Sequence, residues 1–124
     1  MNARRIVIVE DSAMVARPLR RALERYFSQS KYEIEIYESA EAALDQVQTR
    51  PIAVLISDLR LPGMNGLELI KRIRQSTPGT PSILMTAFGS SHIEERANEQ
   101  DIVYLPKPFD LSAFIATVQE LLGD

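Results

Sequence analysis

The chain has 124 residues, 45% hydrophobic and 25% charged, with a formal net charge of -3 and no cysteine. That length supports one globular domain with one real core, and the missing cysteines exclude disulfides and thiolate zinc sites. The acidic balance weighs against direct nucleic-acid binding, which needs a basic face.

No apolar run approaches the ~20 residues needed to span a bilayer, and no signal peptide precedes the first strand. The expected location is cytoplasmic, without membrane contact. In chain order, strand and helix alternate. Ile6-Val-Ile-Val9 is a β-branched run, read as a buried strand that ends in Glu10-Asp11. From about Ser12 to Ser28, Val15, Leu19, Ala22, Leu23 and Tyr26 or Phe27 recur at helical spacing. Pro18 lies inside that pattern and must kink the helix or sit in its first turn, because it has no N–H to give. Tyr32 to Tyr37 alternates, as an edge strand with one wetter face does. Ser39 is placed to cap a helix through Leu44 and Val47, which Pro51 ends.

Ile52 to Ile56 is a continuous apolar run, hence a strand buried on both faces. It stops at Ser57-Asp58, and the turn signals Leu61-Pro-Gly63 and Asn65-Gly66 follow. Asn65 and Glu68 suggest a cap and reach-back pair for a helix through Arg74, broken by Pro78-Gly79. Ser82 to Met85 is a fourth strand ending in Thr86-Ala87, and a polar helix runs from about Ser90 to Glu99. Ile102 to Leu105 is the fifth strand, closed by Pro106-Lys107-Pro108. Asp110 caps a last helix whose apolar face is Leu111, Phe114, Ile115, Val118, Leu121 and Leu122. With no repeat or linker in view, residues 1–124 are expected to form a single domain, with no effector domain in this chain.

Five strands, each followed by a helix, imply an α/β flavodoxin-like (βα)5 fold: a doubly wound parallel sheet in the order 2-1-3-4-5. Strands one, three, four and five are then neighbours, so Glu10, Asp11, Asp58, Thr86 and Lys107 share the carboxyl rim where such sheets bind ligands. Three adjacent carboxylates repel unless a cation joins them, and hard oxygen ligands suit Mg2+. Taken alone, Glu10 and Asp11 are explained as negative charges at a helix N-terminus. With Asp58, Thr86 and Lys107 at matching strand ends, a ligand site is the better account.

Four motifs stand in order at these ends: Ile6-Val-Ile-Val-Glu10-Asp11, Ser57-Asp58-Leu-Arg-Leu-Pro-Gly-Met-Asn-Gly66, Met85-Thr86-Ala87 and Lys107-Pro108-Phe109. Over essentially its whole length the chain resembles a response-regulator receiver domain of bacterial two-component signalling. The resemblance implies that Asp58 accepts a phosphoryl group from a sensor histidine kinase or phosphotransfer protein. It implies Mg2+ held by Glu10, Asp11, Asp58 and the backbone carbonyl of Arg60, with Lys107 and Thr86 contacting the phosphoryl oxygens. Thr86 and Tyr104 would be the switch pair that signals to a downstream effector domain or protein. The expected chemistry is self-phosphorylation and autodephosphorylation, without turnover of a substrate. It fits independently, because phosphoryl transfer needs positioning and charge neutralisation more than covalent machinery. The Lys107-Pro108 bond is a candidate cis peptide, and Tyr104 can equally be a strand tyrosine at the rim of the core.

The chain also departs from the pattern. Many receivers have a Gly-Ala pair just before strand five, whereas this chain has Asn98-Glu-Gln-Asp101. The fourth helix is therefore expected to be short or poorly ordered, which weakens any dimer through that face and leaves a weak homodimer as an option. Arg60 and Phe88 would flank the phosphoryl group, with Phe88 slowing attack by water. Arg17, Arg20, Arg21 and Arg25 are read as a solvated helix face before a surface that steers an acidic partner. His92 is read as a surface residue, and Met14 and Met64 as packing. An Asp-nucleophile phosphatase is disfavoured because Arg60 stands where a second Asp is wanted. Flavin or dinucleotide binding is disfavoured because Glu10-Asp-Ser-Ala13 has no glycine. A phosphorylation-independent binding module is the remaining alternative, and the retained Glu10, Asp11, Asp58, Thr86 and Lys107 count against it.

Overall fold

The computed structural model describes residues 3–47 and 50–123. Its elements run β1 (Arg4–Val9), α1 (Ala13–Tyr26), β2 (Tyr32–Tyr37), α2 (Ala40–Val47), β3 (Val54–Asp58), α3 (Gly66–Ser76), β4 (Ser82–Thr86), α4 (Ser91–Glu99), β5 (Val103–Pro106) and α5 (Leu111–Leu122). All strand pairs are parallel, and the sheet order is β2-β1-β3-β4-β5, as expected from sequence.

Because successive strand side chains point to opposite faces, each apolar strand feeds two cores. Ile6, Ile8, Val54, Ile56, Ile83 and Met85 meet Leu19, Leu23 and Phe27 of the α1 region and Phe114, Ile115 and Val118 of α5. Val7, Val9, Leu55 and Leu84 face the other way, against Ala40, Ala43, Leu69, Ile70, Ile73 and Ala97 of α2, α3 and α4. Among the described residues, no helix is long and apolar enough to cross a membrane.

Several local expectations are sharpened or corrected. Pro18 lies in the second turn of α1, and the helix continues past it although the N–H that would meet Met14 is missing. Phe27, and not Tyr26, completes the buried face of that helix; Tyr26 is 66% exposed. Arg20 is not simply solvated, since its guanidinium donates to the Ile34 carbonyl at 2.9 Å. Ser39 and Asn65 do cap α2 and α3, accepting from Ala42 N–H at 3.1 Å and Glu68 N–H at 2.9 Å. The expected reach-back of Glu68 is replaced by a contact along the helix, where its carboxylate accepts from Arg72 at 3.3 Å. Asp110 caps α5 through Ala113 N–H at 2.8 Å, which holds its carboxyl below the usual range. Leu111, assigned from sequence to the apolar face of α5, is 43% exposed.

Helix α4 is formed, capped by Ser90 on Ile93 N–H at 3.2 Å, and it ends cleanly. Ile102 N–H bonds back to the Ala97 carbonyl at 2.8 Å and Asp101 N–H to that of Asn98 at 3.1 Å, the paired bonds of a Schellman turn. The left-handed position, usually glycine, is taken by Asp101 at φ 57°, a conformation that costs a residue with a side chain about 1–2 kcal/mol.

A buried ion cluster ties the first two strands together. Arg5, only 2% exposed, places Nε and Nη2 on the two Glu35 oxygens at 2.9 and 2.8 Å and Nη1 on the Arg50 carbonyl at 3.1 Å. Tyr37 Oη donates to the same carboxylate at 2.6 Å, and Arg50 approaches it at 3.3 Å. The Arg5 guanidinium holds the Glu35 carboxyl below its ordinary range, and burial, followed by Glu35, pushes the Tyr37 phenol up.

Candidate functional site

The sheet order brings together the ends of the strands singled out in the sequence. Glu10 and Asp11 leave β1, Asp58 ends β3, Thr86 ends β4 and Lys107 follows β5. Carboxylate oxygens of Glu10, Asp11 and Asp58 lie within 4.8 Å of one another. Glu10 is buried, Asp11 is exposed, and Asp58 is 9% exposed at the mouth between them. Lys107 reaches in from the other side, its Nζ 3.0 Å from Glu10 Oε1 and 3.5 Å from Asp58 Oδ2. The Lys107–Pro108 bond is cis, and Lys107 N–H closes onto the Thr86 carbonyl at 2.8 Å.

Glu10 is the most enclosed of the three acids, and both of its oxygens have protein donors. Oε2 accepts from Ser12 N–H at 3.0 Å and Oε1 from Lys107. Burial pushes its carboxyl up, with Asp58 adding repulsion, while the Ser12 amide and Lys107 pull the other way. Three carboxylates thus face one ammonium. Their hard, closely spaced oxygens form a group that could hold a metal ion, and oxygen ligands of this kind suit Mg2+.

The backbone beneath Asp58 depends on a residue whose second role the sequence does not announce. Asn65-Gly66 reads as a turn, yet Gly66 also lets α3 start directly under the acidic strand end. Its N–H donates to the Leu59 carbonyl at 2.8 Å. A side chain there would collide with the Asp58 carbonyl and lie 2.9 Å from both Leu84 Cδ1 and Ser57 Oγ. Gly66 is needed for close approach, a constraint that only contacts distant in sequence create.

On the other rim, Thr86 is buried and its Oγ1 accepts from Phe88 N–H at 2.9 Å, so the hydroxyl still has a proton to donate. Phe88 is 61% exposed, and the Arg60 guanidinium lies 4.0 Å over its ring, bridging the loops after β3 and β4. Tyr104 is half-buried, with its hydroxyl end in the space that a side chain at Gly89 would fill, beside the Thr86 methyl. No spacing rule in the sequence pairs residue 89 with residue 104. His92 is exposed and Met14 is 88% exposed, so neither joins the site; Met64 is partly buried against the α3 face.

Comparison with known proteins agrees with this geometry. Residues 6–119 match the family model of the response regulator receiver domain. The chain is 37% identical over 117 residues to the DNA-binding transcriptional regulator NtrC of Klebsiella pneumoniae, covering 94% of this chain and 24% of that protein. It is 33% identical to the response regulator ArlR of Staphylococcus epidermidis, covering 94% of this chain and 52% of the relative. The chain therefore spans about a quarter to a half of these relatives. Among solved structures, the non-phosphorylated HemR receiver domain of Leptospira biflexa superposes with a TM-score of 0.86 at 27% identity, over 98% of this chain and 95% of that one.

Proposed function

This chain belongs to the family of response regulator receiver domains, and from that premise we propose that Asp58 takes a phosphoryl group from a phosphohistidine on a sensor histidine kinase or phosphotransfer protein. The observation that carries the proposal is the convergence of Asp58 with two further carboxylates and the Lys107 ammonium at one sheet edge. An Asp58 oxygen forms the new O–P bond as the P–N bond breaks. The leaving nitrogen keeps the bonding pair and, with the other ring nitrogen protonated, departs as neutral imidazole.

Glu10, Asp11 and Asp58 are the residues that would hold Mg2+, with the Arg60 backbone carbonyl added by resemblance to the family. When bound, the ion supplies the positive charge that three carboxylates and an incoming phosphoryl group lack. Lys107 supplies the second positive charge, held in place by Glu10 while Asp58 is free. Thr86 donates its hydroxyl proton to a phosphoryl oxygen, which draws the loop of Phe88 and Gly89 toward Asp58. Tyr104 rests on that loop and carries the change to β5, where an effector domain or protein reads it. The domain acts as a signalling module and turns over no substrate.

The test is intact mass after incubation with Mg2+ and acetyl phosphate. One phosphoryl group is expected on wild type and none on Asp58→Asn. An adduct of equal yield on Asp58→Asn, or wild type that binds Mg2+ yet accepts phosphate from neither acetyl phosphate nor a phosphohistidine protein, would sink the proposal.

A further inference from the structure

The rim of the carboxylate site carries a cation besides Lys107. Arg60 stands two residues past Asp58, in the loop after β3, and is exposed. Phe88 stands two residues past Thr86, in the loop after β4, the strand that pairs with β3 at Asp58 and Met85. The Arg60 guanidinium lies 4.0 Å over the Phe88 ring, and Phe88 N–H is tied to Thr86 Oγ1 at 2.9 Å. The pair therefore spans the two loops that border Asp58 on its β4 side.

Three carboxylates lie at the same mouth, yet the guanidinium pairs with none of them. Among the described residues its side chain makes no hydrogen bond or ion pair. The ring covers the flat face of the fork and leaves the N–H groups along its edge free. Asp58 keeps Lys107, at 3.5 Å, as its cationic partner and is not capped by the arginine two residues away. An exposed cation–π contact adds little to stability, so its main effect is one of place. It holds a charged fork beside the nucleophile without blocking it.

Phosphoryl transfer runs in line, with the attacking oxygen on one side of phosphorus and the leaving atom on the other. Attack by Asp58 from the sheet edge drives the leaving group outward, past the loops that Arg60 and Phe88 bridge. A guanidinium edge matches a carboxylate through two parallel hydrogen bonds, and it matches no neutral amine. We infer that Arg60 binds the departing carboxylate of acyl phosphates and so selects that class among small phosphodonors, with Phe88 as the positioning residue that presents the fork. The role presupposes that Asp58 is the phosphoacceptor. An Asp58 oxygen forms the O–P bond as the P–O bond to the acyl group breaks. The acyl oxygen keeps the electron pair and leaves as a carboxylate on Arg60, with no proton to place. A phosphohistidine, whose leaving group is a neutral ring, gains nothing from the fork.

Two small donors with different leaving groups test this: acetyl phosphate, which releases acetate, and phosphoramidate, which releases neutral ammonia. Second-order rates of adduct formation on the whole chain are read by intact mass at saturating Mg2+. The quantity compared is the ratio of the acetyl phosphate rate to the phosphoramidate rate. Arg60→Met should lower that ratio about tenfold, the scale of a hydrogen bond to a charged group. Arg60→Lys should recover only a small part, since it keeps the charge without the fork. Phe88→Leu should lower the ratio about two- to threefold in the presence of Arg60, the scale of an exposed cation–π contact, and leave it unchanged in Arg60→Met. An unchanged ratio in Arg60→Met, or a full ratio in Arg60→Lys, overturns the leaving-group role, because two rates that fall together report only Mg2+ binding or general attraction of anions. A Phe88→Leu effect of equal size in both backgrounds overturns the positioning role. Wild type that accepts phosphate from phosphoramidate and not from acetyl phosphate overturns the role of Arg60 and leaves Asp58 as acceptor. Wild type that binds Mg2+ and accepts from neither, nor from a phosphohistidine protein, overturns the phosphoacceptor proposal with it.

Discussion

Strand β1 carries a buried charge near each of its ends, Arg5 near its start and Glu10 just past its finish, and the two are surrounded in opposite ways. Around Glu35, the partner of Arg5, two guanidinium groups and a phenol converge on one carboxylate, so each buried polar atom has a partner. Around Glu10, three carboxylates share one ammonium. The first cluster is complete and joins β1, β2 and the loop before β3. The second is short of positive charge by an amount that a divalent cation supplies. Burial alone does not separate a structural ion pair from a ligand site; the balance of charge left unfilled does.

The largest expected effect comes from breaking the complete cluster. Arg5→Met should lose about 3 kcal/mol in urea unfolding, because the half-buried Glu35 is left without its main partner. Asp58→Asn in metal-free buffer should be neutral or gain about 1 kcal/mol, since it removes repulsion. Equal losses in both variants would abolish the distinction. Mg2+ sharpens it. At a hundredfold excess over its dissociation constant, Mg2+ should raise wild-type stability by about 2.7 kcal/mol. Asp58→Asn should lose most of that increment, while Arg5→Met, though weaker overall, should keep it; a shared loss would mean that the two ends are coupled.

Acidity separates them next. The folded-state carboxyl of Glu35 titrates below its ordinary value, so its contribution is full above the unfolded carboxylate range and is lost as pH falls through the lowered folded value. Glu35→Gln should therefore flatten the acid limb of the stability curve by roughly 1–2 kcal/mol, and an acid limb identical to wild type would remove the linkage. The smallest effect concerns the Arg60–Phe88 pair over the site. Phe88→Ala should shorten the phosphoryl lifetime by about two- to fivefold, the scale of an exposed cation–π contact. A lifetime unchanged by radiolabel decay would mean that the ring does not limit water.

Much of this was legible in the sequence because strand ends are local events. Ile6–Val9 and Ile52–Ile56 announce buried parallel strands, and the polar residues that stop them fall at one edge once the order is set. Ser39, Asn65 and Asp110 announce their caps for the same reason. The illegible parts are contacts between distant residues. Nothing near Gly89 names Tyr104, nothing near Arg74 names Asp101, and nothing near Arg5 names Glu35. The Gly-Ala pair missing before β5 predicts a weak fourth helix, yet the helix forms, and the turn that ends it has Asp101 in the glycine conformation with its carbonyl accepting from Arg74. Leu111 is exposed although it lies at apolar helical spacing, because periodicity marks a face without saying where the neighbouring helix stops covering it.

The order β2-β1-β3-β4-β5 leaves two strands with an unpaired side, and each is unsuited to recruit another chain. On β2, Glu33 is exposed and Glu35 half-buried, so a foreign strand would meet carboxylates along that border. On β5, the Lys107 N–H faces β4, which turns the preceding Pro106 toward the open side with no N–H to offer. That strand is also only four residues long. A sheet protected at both margins can be carried beside other domains, at the high local concentrations that tethering creates, without polymerising edge to edge.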